Sequence, residues 1–271
     1  MTDRELVAFL ALAAPRLGLR AAGFRRVRAT LRKRLARRSR ELGLDMSGYA
    51  RYLDAHPEEW GWLDACCRIT ISRFGRDAPV FAELVARVLP EQAAAARAEG
   101  RGRLRIWSAG CASGEEAYAV AIGYRARVAP LEPRLELEVL GTDVEPAVLA
   151  RAARGGYPAG CLRELPEALR ALAFERRGRE WFVLQSFRVG VRFERSDLRA
   201  QAPDGPFDVV LCRNVAFTYF EDALQLRVAQ VLASALRPGG LLVIGAGEAL
   251  PRSSLGLLPE APCFYRRAPE V

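Results

Sequence analysis

A strand, a glycine turn and a helix follow one another around Gly110, and this succession constrains the fold more than any other feature of the chain. Apolar residues predict a strand over 103–108, and the small residues 111–114 lead into a predicted helix over 117–128. Glycine lets a ligand approach the backbone closely, because no Cβ atom stands in the way. The stretch therefore predicts the ligand-binding crossover of an α/β sheet.

Two carboxylates, Glu115 and Glu116, occupy the first turn of that predicted helix. A phosphate site would present bare N–H groups and the positive end of the helix dipole there. The pair therefore argues against a pyrophosphate and favours a ligand that carries hydroxyls or a cation. For the loop taken alone, an ordinary strand-to-helix turn with dipole-stabilising acids is an equally open interpretation.

Strands and helices alternate beyond the loop, as expected of a sheet covered by helices. Predicted strands span 135–140, 182–184, 187–193, 207–212, 241–244 and 263–265, and predicted helices span 146–154 and 222–236. Residues 1–100 show helical periodicity instead, with helices expected at 6–13, 24–42, 48–55 (capped by Ser47), from Pro57 onward and at 79–98. This change predicts a helical domain over 1–78, a linker helix over 79–102 and an α/β domain over 103–271.

The net charge of +9 is concentrated near the N-terminus. Residues 1–76 carry sixteen Lys and Arg against eight Asp and Glu, and residues 20–40 hold ten basic residues and no acid. A basic amphipathic helix binds nucleic acid, anionic lipid or an acidic protein. We therefore expect a partner surface here, with an ordinary solvated face as the alternative.

The chain contains one histidine, His56, and six cysteines without a C-x-x-C pair. A His-based metal site, a Ser-His-Asp triad, a Cys-His dyad and a disulfide framework are therefore not expected. The first residues lack a signal-peptide pattern, and no apolar run approaches the ~18 residues that span a bilayer. We expect a soluble, cytoplasmic protein that does not span a membrane and holds no metal.

Polar residues follow the predicted strands at the carboxyl ends, where ligands bind in open α/β sheets. They are Asp143, Asp197 and Asn214, in addition to the loop at Gly110. An acid after the second strand accepts ribose hydroxyls, but its spacing of 33 residues from Gly110 and the missing G-x-G-x-x-G disfavour a dinucleotide. Acids at two strand ends, with no basic residue in the loop, favour a nucleoside without phosphates. S-adenosylmethionine is such a ligand, and its sulfonium is a cation.

Nearly the whole chain resembles the chemotaxis receptor methyltransferases of the CheR type. The matching segments are Ile106-Trp-Ser-Ala-Gly-Cys-Ala-Ser-Gly-Glu-Glu-Ala-Tyr118, Gly141-Thr-Asp143, Phe207-Asp-Val-Val-Leu-Cys-Arg-Asn-Val215, Leu236-Arg-Pro-Gly-Gly-Leu-Leu242, Gly245-Ala-Gly-Glu248 and, upstream, Arg68-Ile-Thr-Ile-Ser-Arg-Phe-Gly-Arg-Asp77. The resemblance implies a Rossmann-like S-adenosylmethionine-dependent methyltransferase domain with an all-α N-terminal domain and a small β-subdomain around 157–193. It also implies methyl transfer to receptor glutamates. The partner would be a chemoreceptor-type acidic helical protein, bound through the basic helix 20–40 and the β-subdomain.

Residue roles follow from the same resemblance. Arg76 and Tyr219 would be the catalytic pair, with Tyr219 facing the methyl group. The cofactor-binding residues would be Thr70, Ser72, Arg76, Gly110, Glu116, Asp143, Asp197, Leu198, Asn214 and Val215.

Several positions depart from the family pattern, mostly on the acceptor side. The family's Phe-Phe-Arg reads Phe74-Gly75-Arg76, the Pro after Glu-Glu is Ala117, and Gly-His-Ser-Glu is Gly245-Ala-Gly-Glu248. The segment Asn214–Phe220 is one residue longer than its family counterpart. Because these differences lie mostly on the acceptor side, they leave the identity of the methyl acceptor less determined than the type of reaction.

A glutamate acceptor suits a chain with one histidine. Its pKa of ~4.3 leaves it ionised at neutral pH, so it attacks a sulfonium methyl group without a general base. We expect Arg76 to orient the acceptor carboxylate, with a surface salt bridge to Asp77 or Glu83 as the alternative. Two other functions stay open: a CheR-like methyltransferase with another acceptor, of which nucleic acid is disfavoured, and a non-catalytic S-adenosylmethionine-binding signalling module.

Overall fold

The computed structural model describes residues 1–251 and 256–269, and the chain forms two compact units. The first unit comprises Met1–Ile69 with Val215–Gln225, and the second comprises Thr70–Asn214 with Leu226–Val271. The first unit therefore ends at Ile69 rather than at residue 78, and it includes a segment from within the predicted domain 103–271. Residues 252–255 and 270–271 of that predicted domain lie outside the described residues.

Helices build the first unit. They span Asp3–Ala13, Arg28–Leu42, Met46–Ala55, Glu59–Cys67 and, after the return of the chain, Ala216–Tyr219, with 3-10 turns at Pro15–Leu17 and Ala21–Arg26. Their apolar faces meet in one core, in which Leu6, Phe24, Leu31 and Leu35 are completely buried. The periodic apolar positions of this region thus form the interior, as their helical spacing predicts.

Side-chain caps explain where two of these helices begin. Thr2 and Glu5 form a capping box at the first helix. The third helix is capped by Asp45, whose extended backbone directs its carboxylate to the N–H of Gly48 at 2.6 Å. The expectation that Ser47 is the cap is wrong, because Ser47 already lies inside the first helical turn.

Some arginines of the basic segment 20–40 are used inside the first unit. Arg34 donates to the carbonyl oxygens of Cys66 and Arg68, at 2.8 and 2.7 Å, at the end of the fourth helix. Arg38 forms an ion pair with the buried Glu59 at 2.6 Å and holds the pKa of that carboxyl below its ordinary value. These arginines stabilise helix packing and are not all available to a partner.

A seven-stranded sheet is the centre of the second unit. The strands of this unit are β1 (Arg103–Ala109), β2 (Glu136–Asp143), β3 (Gly156–Pro158), β4 (Phe174–Arg177), β5 (Glu180–Val183), β6 (Val191–Arg195), β7 (Phe207–Cys212), β8 (Leu236–Ile244), β9 (Leu257–Ala261) and β10 (Phe264–Arg267). The large sheet has the order β6-β2-β1-β7-β8-β10-β9. Its first five strands run parallel, and β10 and β9 complete it in antiparallel fashion. A small antiparallel sheet has the order β3-β5-β4. The predicted α/β fold class is confirmed.

Helices accompany these strands along the second unit. They span Ala78–Glu83, Leu89–Ala98, Glu115–Arg127, Pro146–Arg154, Glu167–Ala173 and Gln185–Arg188, with a π-helical turn at Leu84–Val88 and a 3-10 turn at Ala159–Leu162. A last helix, Asp222–Ala235, begins within the first unit's segment Val215–Gln225 and continues in the second unit. Residues 79–102 are not a linker, because Phe81, Leu84 and Leu89 belong to the buried core of this unit. Within the described ranges, no helix is long and apolar enough to cross a bilayer.

Two predicted strand boundaries differ from those observed by four residues or more. The strand expected over 187–193 is partly wrong, since Gln185–Arg188 forms a helical turn and β6 begins only at Val191. The Pro-Gly-Gly turn at 238–240 does not separate helix from strand, because β8 already begins at Leu236 and bulges there against β7. Pairing with neighbouring strands, which local propensity does not encode, decides both boundaries.

Replacing Asp45 by alanine tests the corrected helix cap. We expect Asp45→Ala to lower the free energy of unfolding by about 1 kcal/mol, because the N–H of Gly48 loses its partner. Ser47→Ala is the matched control and should change stability by less than ~0.5 kcal/mol. Urea unfolding followed by circular dichroism measures both, and equal losses in the two variants would contradict the assignment.

Candidate functional site

The carboxyl ends of five parallel strands lie along one edge of the large sheet. Because β6, β2, β1, β7 and β8 run parallel, the residues that follow them are brought to the same edge. These residues include the loop at Gly110, Asp143, Asp197, Asn214 and Gly245. The polar strand ends that the sequence indicated are thus neighbours along one edge of the second unit.

The loop after β1 is bonded to the end of β2. The N–H groups of Gly110 and Cys111 donate to the carbonyl oxygen of Thr142 at 2.8 and 2.9 Å. Asp143 Oδ2 accepts the N–H of Ala112 at 3.0 Å, and its Oδ1 accepts the N–H of Glu145 at 3.0 Å. Burial raises the pKa of Asp143, although these N–H groups oppose the rise. Each carboxylate oxygen keeps a second lone pair, so Asp143 is suited to accept ligand hydroxyls.

The loop needs glycine where it turns into the helix. Gly114 has φ +84°, and a Cβ atom there would lie 2.8 Å from both Ala152 and Phe193. Gly110 also has a positive φ of +76°. Positive φ angles therefore explain why glycine occupies both positions, and close packing adds a second reason at Gly114.

Glu116, at the first turn of the helix, is engaged on both carboxylate oxygens. Ser108 donates to Oε1 at 2.7 Å, and Arg213 Nη1 donates to Oε2 at 2.9 Å. Arg213 also lies 3.2 Å from Asp77 Oδ2 through its Nη2. Glu116 therefore belongs to a partly buried Glu116–Arg213–Asp77 bridge, which sequence reasoning did not predict.

Asp77 is the other end of this bridge. Its Oδ2 also accepts from Asn214 Nδ2 at 3.2 Å and from the N–H of Ala246 at 3.3 Å. Burial raises the pKa of Asp77, but the Asn214 hydrogen bond and the Arg213 charge outweigh it and hold this pKa below its ordinary value. Asp77 is therefore ionised and joins the ends of β7 and β8.

Glu248 organises the same strand ends from the other side. Its Oε2 accepts the N–H groups of Asn214 and Gly245, both at 2.8 Å. Asn214 has a left-handed backbone with φ +59°, a conformation that asparagine tolerates better than most residues. Asp77, Arg213 and Glu248 were not predicted as site residues. All three lie in segments that match the family pattern, and this match is the sequence signal that could have identified them.

Asp197, after β6, pairs with Arg199. Its carboxylate accepts the Arg199 N–H at 2.9 Å and forms an ion pair with the guanidinium at 2.8 Å. Leu198 beside it is buried. A role for Asp197 and Leu198 in cofactor binding stays a prediction.

Thr70, Ser72 and Arg76 lie in an irregular segment before the helix Ala78–Glu83, and all three are half-buried. Arg76 Nη1 donates to the carbonyl oxygen of Ile71 at 3.1 Å. In the part of the chain that the structure describes, Arg76 forms no ion pair with Asp77 or Glu83, the alternative raised from the sequence. Its guanidinium is therefore not neutralised by a direct carboxylate partner.

Gly75 explains one departure from the family pattern. It has φ +69°, and a Cβ atom there would lie 2.8 Å from the carbonyl oxygen of Glu164. The preceding Phe74 is completely buried, edge-on to Tyr157 and Phe174 at ring distances of 4.9 and 5.0 Å. The segment thus keeps one aromatic side chain in the core, and backbone packing excludes a second at position 75.

Val215 and Tyr219 belong to the first unit. The segment 214–220, which is one residue longer than its family counterpart, contains the short helix Ala216–Tyr219. Tyr219 packs against Phe24 with ring centroids 5.2 Å apart. Arg20 donates to the carbonyl oxygen of Thr218 at 3.0 Å and also to that of Phe217. The cofactor contact of Val215 and the catalytic role of Tyr219 stay predictions.

Glu115, the other acid in the first turn of the helix Glu115–Arg127, is almost completely buried. Its side chain is 2% exposed, and Oε2 has no hydrogen-bond partner among the described residues. Burial raises the pKa of Glu115 to about 7, against the opposing effects of its own N–H, the Arg151 charge and the Ser113 N–H. Glu115 therefore carries a proton over part of the neutral pH range.

The sequence of this chain matches one family of known proteins. Residues 70–258 match a family model described as "CheR methyltransferase, SAM binding domain". A chemotaxis protein methyltransferase of Listeria monocytogenes serovar 1/2a is 37% identical over 180 residues, which cover 66% of this chain and 65% of that protein. Its counterpart in Listeria innocua serovar 6a is 39% identical over 150 residues, which cover 55% of each chain.

A third relative matches over a greater length. A probable chemotaxis protein methyltransferase of Rhizobium etli is 34% identical over 229 residues, which cover 79% of this chain and 82% of that protein. The matching segments span less than two thirds of the length of both Listeria proteins.

The buried carboxyl of Glu115 predicts a pH-dependent stability. Because the folded state holds this proton more tightly than the unfolded chain, its contribution to stability falls as pH rises from about 4.5 to about 7. Glu115→Gln removes that dependence. The stability of the variant relative to the original protein should therefore rise by on the order of 3 kcal/mol across this range and then level off.

Urea unfolding at several pH values measures this difference. Glu167→Gln, at a side chain that is 89% exposed, is the control and should give a flat difference. A flat difference for Glu115→Gln as well would show that the buried carboxyl does not titrate in this range.

Proposed function

The chain belongs to the CheR methyltransferase family, and from this premise we propose that it methylates glutamate side chains of a chemoreceptor-like protein with S-adenosylmethionine. The family match over 70–258 carries the proposal, because it includes every strand end that forms the candidate site. The matched part is that family's S-adenosylmethionine-binding domain.

The residues at the sheet edge fit this cofactor. Asp143 has carboxylate lone pairs for ribose hydroxyls at the end of β2. The Glu116–Arg213–Asp77 bridge contains two carboxylates and one guanidinium, so it leaves one negative charge for a cationic ligand. Gly110 allows close approach to the backbone of the loop. We propose that Thr70, Ser72, Arg76, Gly110, Glu116, Asp143, Asp197, Leu198, Asn214 and Val215 hold the cofactor.

The proposed methyl transfer requires the protein to position the two reactants and does not require a general base. The bound cofactor supplies a methyl group on a sulfonium, and transfer to an ionised carboxylate leaves an ester and a neutral thioether. A glutamate acceptor has a pKa of ~4.3, so no residue of this chain has to remove a proton. What the chain contributes is alignment of the reacting atoms at ~3 Å and exclusion of water.

Arg76 is the proposed contact for the acceptor carboxylate. Its guanidinium lacks a direct carboxylate partner among the described residues, which supports a role in binding an incoming one. A guanidinium binds a carboxylate through two parallel hydrogen bonds and thereby sets its orientation. Tyr219 is proposed to position the methyl group or the carboxylate.

The proposed partner is an acidic helical receptor segment, located in the cytoplasm with this chain. In the first unit, the exposed Arg25, Arg26 and Lys33 have no ion-pair partner among the described residues. These charges support docking of an acidic surface, which such patches attract over a distance. We propose that the small sheet β3-β5-β4 adds a second docking surface.

Labelled S-adenosylmethionine and a receptor-containing membrane extract test the proposal. We expect base-labile label on receptor protein, because glutamyl methyl esters hydrolyse in base. Arg76→Ala should lower kcat/KM by about 100-fold, since the acceptor loses a charge-assisted bidentate contact. Arg97→Ala, at an exposed ion pair, is the control and should keep full activity.

Three other outcomes would contradict the proposal. Base-stable label would point to a different acceptor, and label on nucleic acid with salt-sensitive binding would identify a nucleic-acid methyltransferase. Cofactor binding without transfer to any receptor preparation would identify a non-catalytic signalling module.

A further inference from the structure

Arg213 lies between two carboxylates that the sequence places in separate motifs. Its side chain is 5% exposed, and Nη1 donates to Glu116 Oε2 at 2.9 Å. Nη2 lies 3.2 Å from Asp77 Oδ2 and also donates to the carbonyl oxygen of Arg76. One guanidinium therefore bonds the helix of the loop to the segment that carries the proposed acceptor contact.

The Glu116–Arg213–Asp77 bridge places three charged groups in a partly buried site and requires one side chain to reach two carboxylates. The side chains of Glu116 and Asp77 are 14% and 22% exposed, so their charges interact in a poorly solvated site. The buried Arg213 Nε has no hydrogen-bond partner among the described residues. An unsatisfied buried donor lowers stability, so full hydrogen bonding does not explain why arginine is used here. Arginine is explained instead by its planar guanidinium, whose N–H groups point in different directions and reach two carboxylates at once. The compact ammonium group of lysine lacks this arrangement of donors.

We propose that Arg213 is a positioning residue that holds Glu116 and the backbone of Arg76 in their ligand-binding arrangement. The inference rests on the proposed function, in which Glu116 binds the cofactor and Arg76 the acceptor. Arg213 acts through these two residues and does not itself contact either ligand. Cofactor affinity and acceptor affinity therefore depend on the same guanidinium.

A buried ion pair at the other end of the strands offers a matched control. Arg101 Nη1 lies 2.6 Å from Asp208 Oδ1, and Asp208 is completely buried near the start of β7. Arg101→Lys disturbs a comparable pair at the opposite edge of the sheet. A purely structural role for Arg213 predicts that both lysine variants lose thermal stability and neither loses cofactor affinity.

Calorimetric titration with S-adenosylhomocysteine tests the inference on the full chain. We expect Arg213→Lys to weaken binding about tenfold, because Glu116 loses the donor that orients it, and Glu116→Gln to weaken it about tenfold as well. The double variant should also lose about tenfold rather than about 100-fold, since both changes remove the same interaction. Arg101→Lys should bind within about twofold of the original protein, whatever its melting temperature.

Several results would overturn the inference. Binding by folded Arg213→Lys within about twofold of the original protein would do so, as would additive losses of about 100-fold in the double variant. If Arg213→Lys does not fold, Asp77→Asn keeps the side-chain shape and weakens one end of the bridge. A loss of about threefold in that variant supports the inference, and unchanged binding overturns it. Failure of the original protein to bind S-adenosylhomocysteine would instead overturn the proposed function itself.

Discussion

Parallel pairing of β1 with β2 on one side and β7 on the other is the constraint on which the site depends. It sets the loop after β1 beside Asp143 and beside the Arg213-Asn214 pair at one edge of the sheet. The loop then bonds to the end of β2 through the carbonyl oxygen of Thr142. Without this pairing, residues that lie more than a hundred positions apart in the chain would not meet at one edge of the sheet.

Charged residues are used differently at the two ends of the central strands. At the amino ends, the completely buried Asp208 lies 2.6 and 2.7 Å from Arg101 and Arg237. Both arginines also pair with Glu99, so two carboxylates face two guanidiniums. At the carboxyl ends, the Glu116–Arg213–Asp77 bridge keeps an excess negative charge. Because a buried excess charge costs free energy, the excess negative charge of this bridge supports the proposal that a cationic ligand binds there.

Local signals predicted the elements well and their limits less well. The strand β7 and the helix Pro146–Arg154 have the predicted bounds, since a continuous apolar run and an amphipathic period specify them directly. The cap at Asp45, the helical turn Gln185–Arg188 and the start of β8 at Leu236 differ from expectation. Each of these depends on backbone direction or strand pairing, which a window of sequence does not contain.

The sequence by itself determined the fold class, the family and which strand ends carry polar groups, because apolar periodicity and short motifs are local properties of the chain. Tertiary structure decided how those groups are used. It showed that Glu116 is already bound by Ser108 and Arg213, and that residues 79–102 are core rather than linker. The physical reason is that ion pairs and burial join residues distant in the chain, and only folding brings such residues within hydrogen-bonding distance.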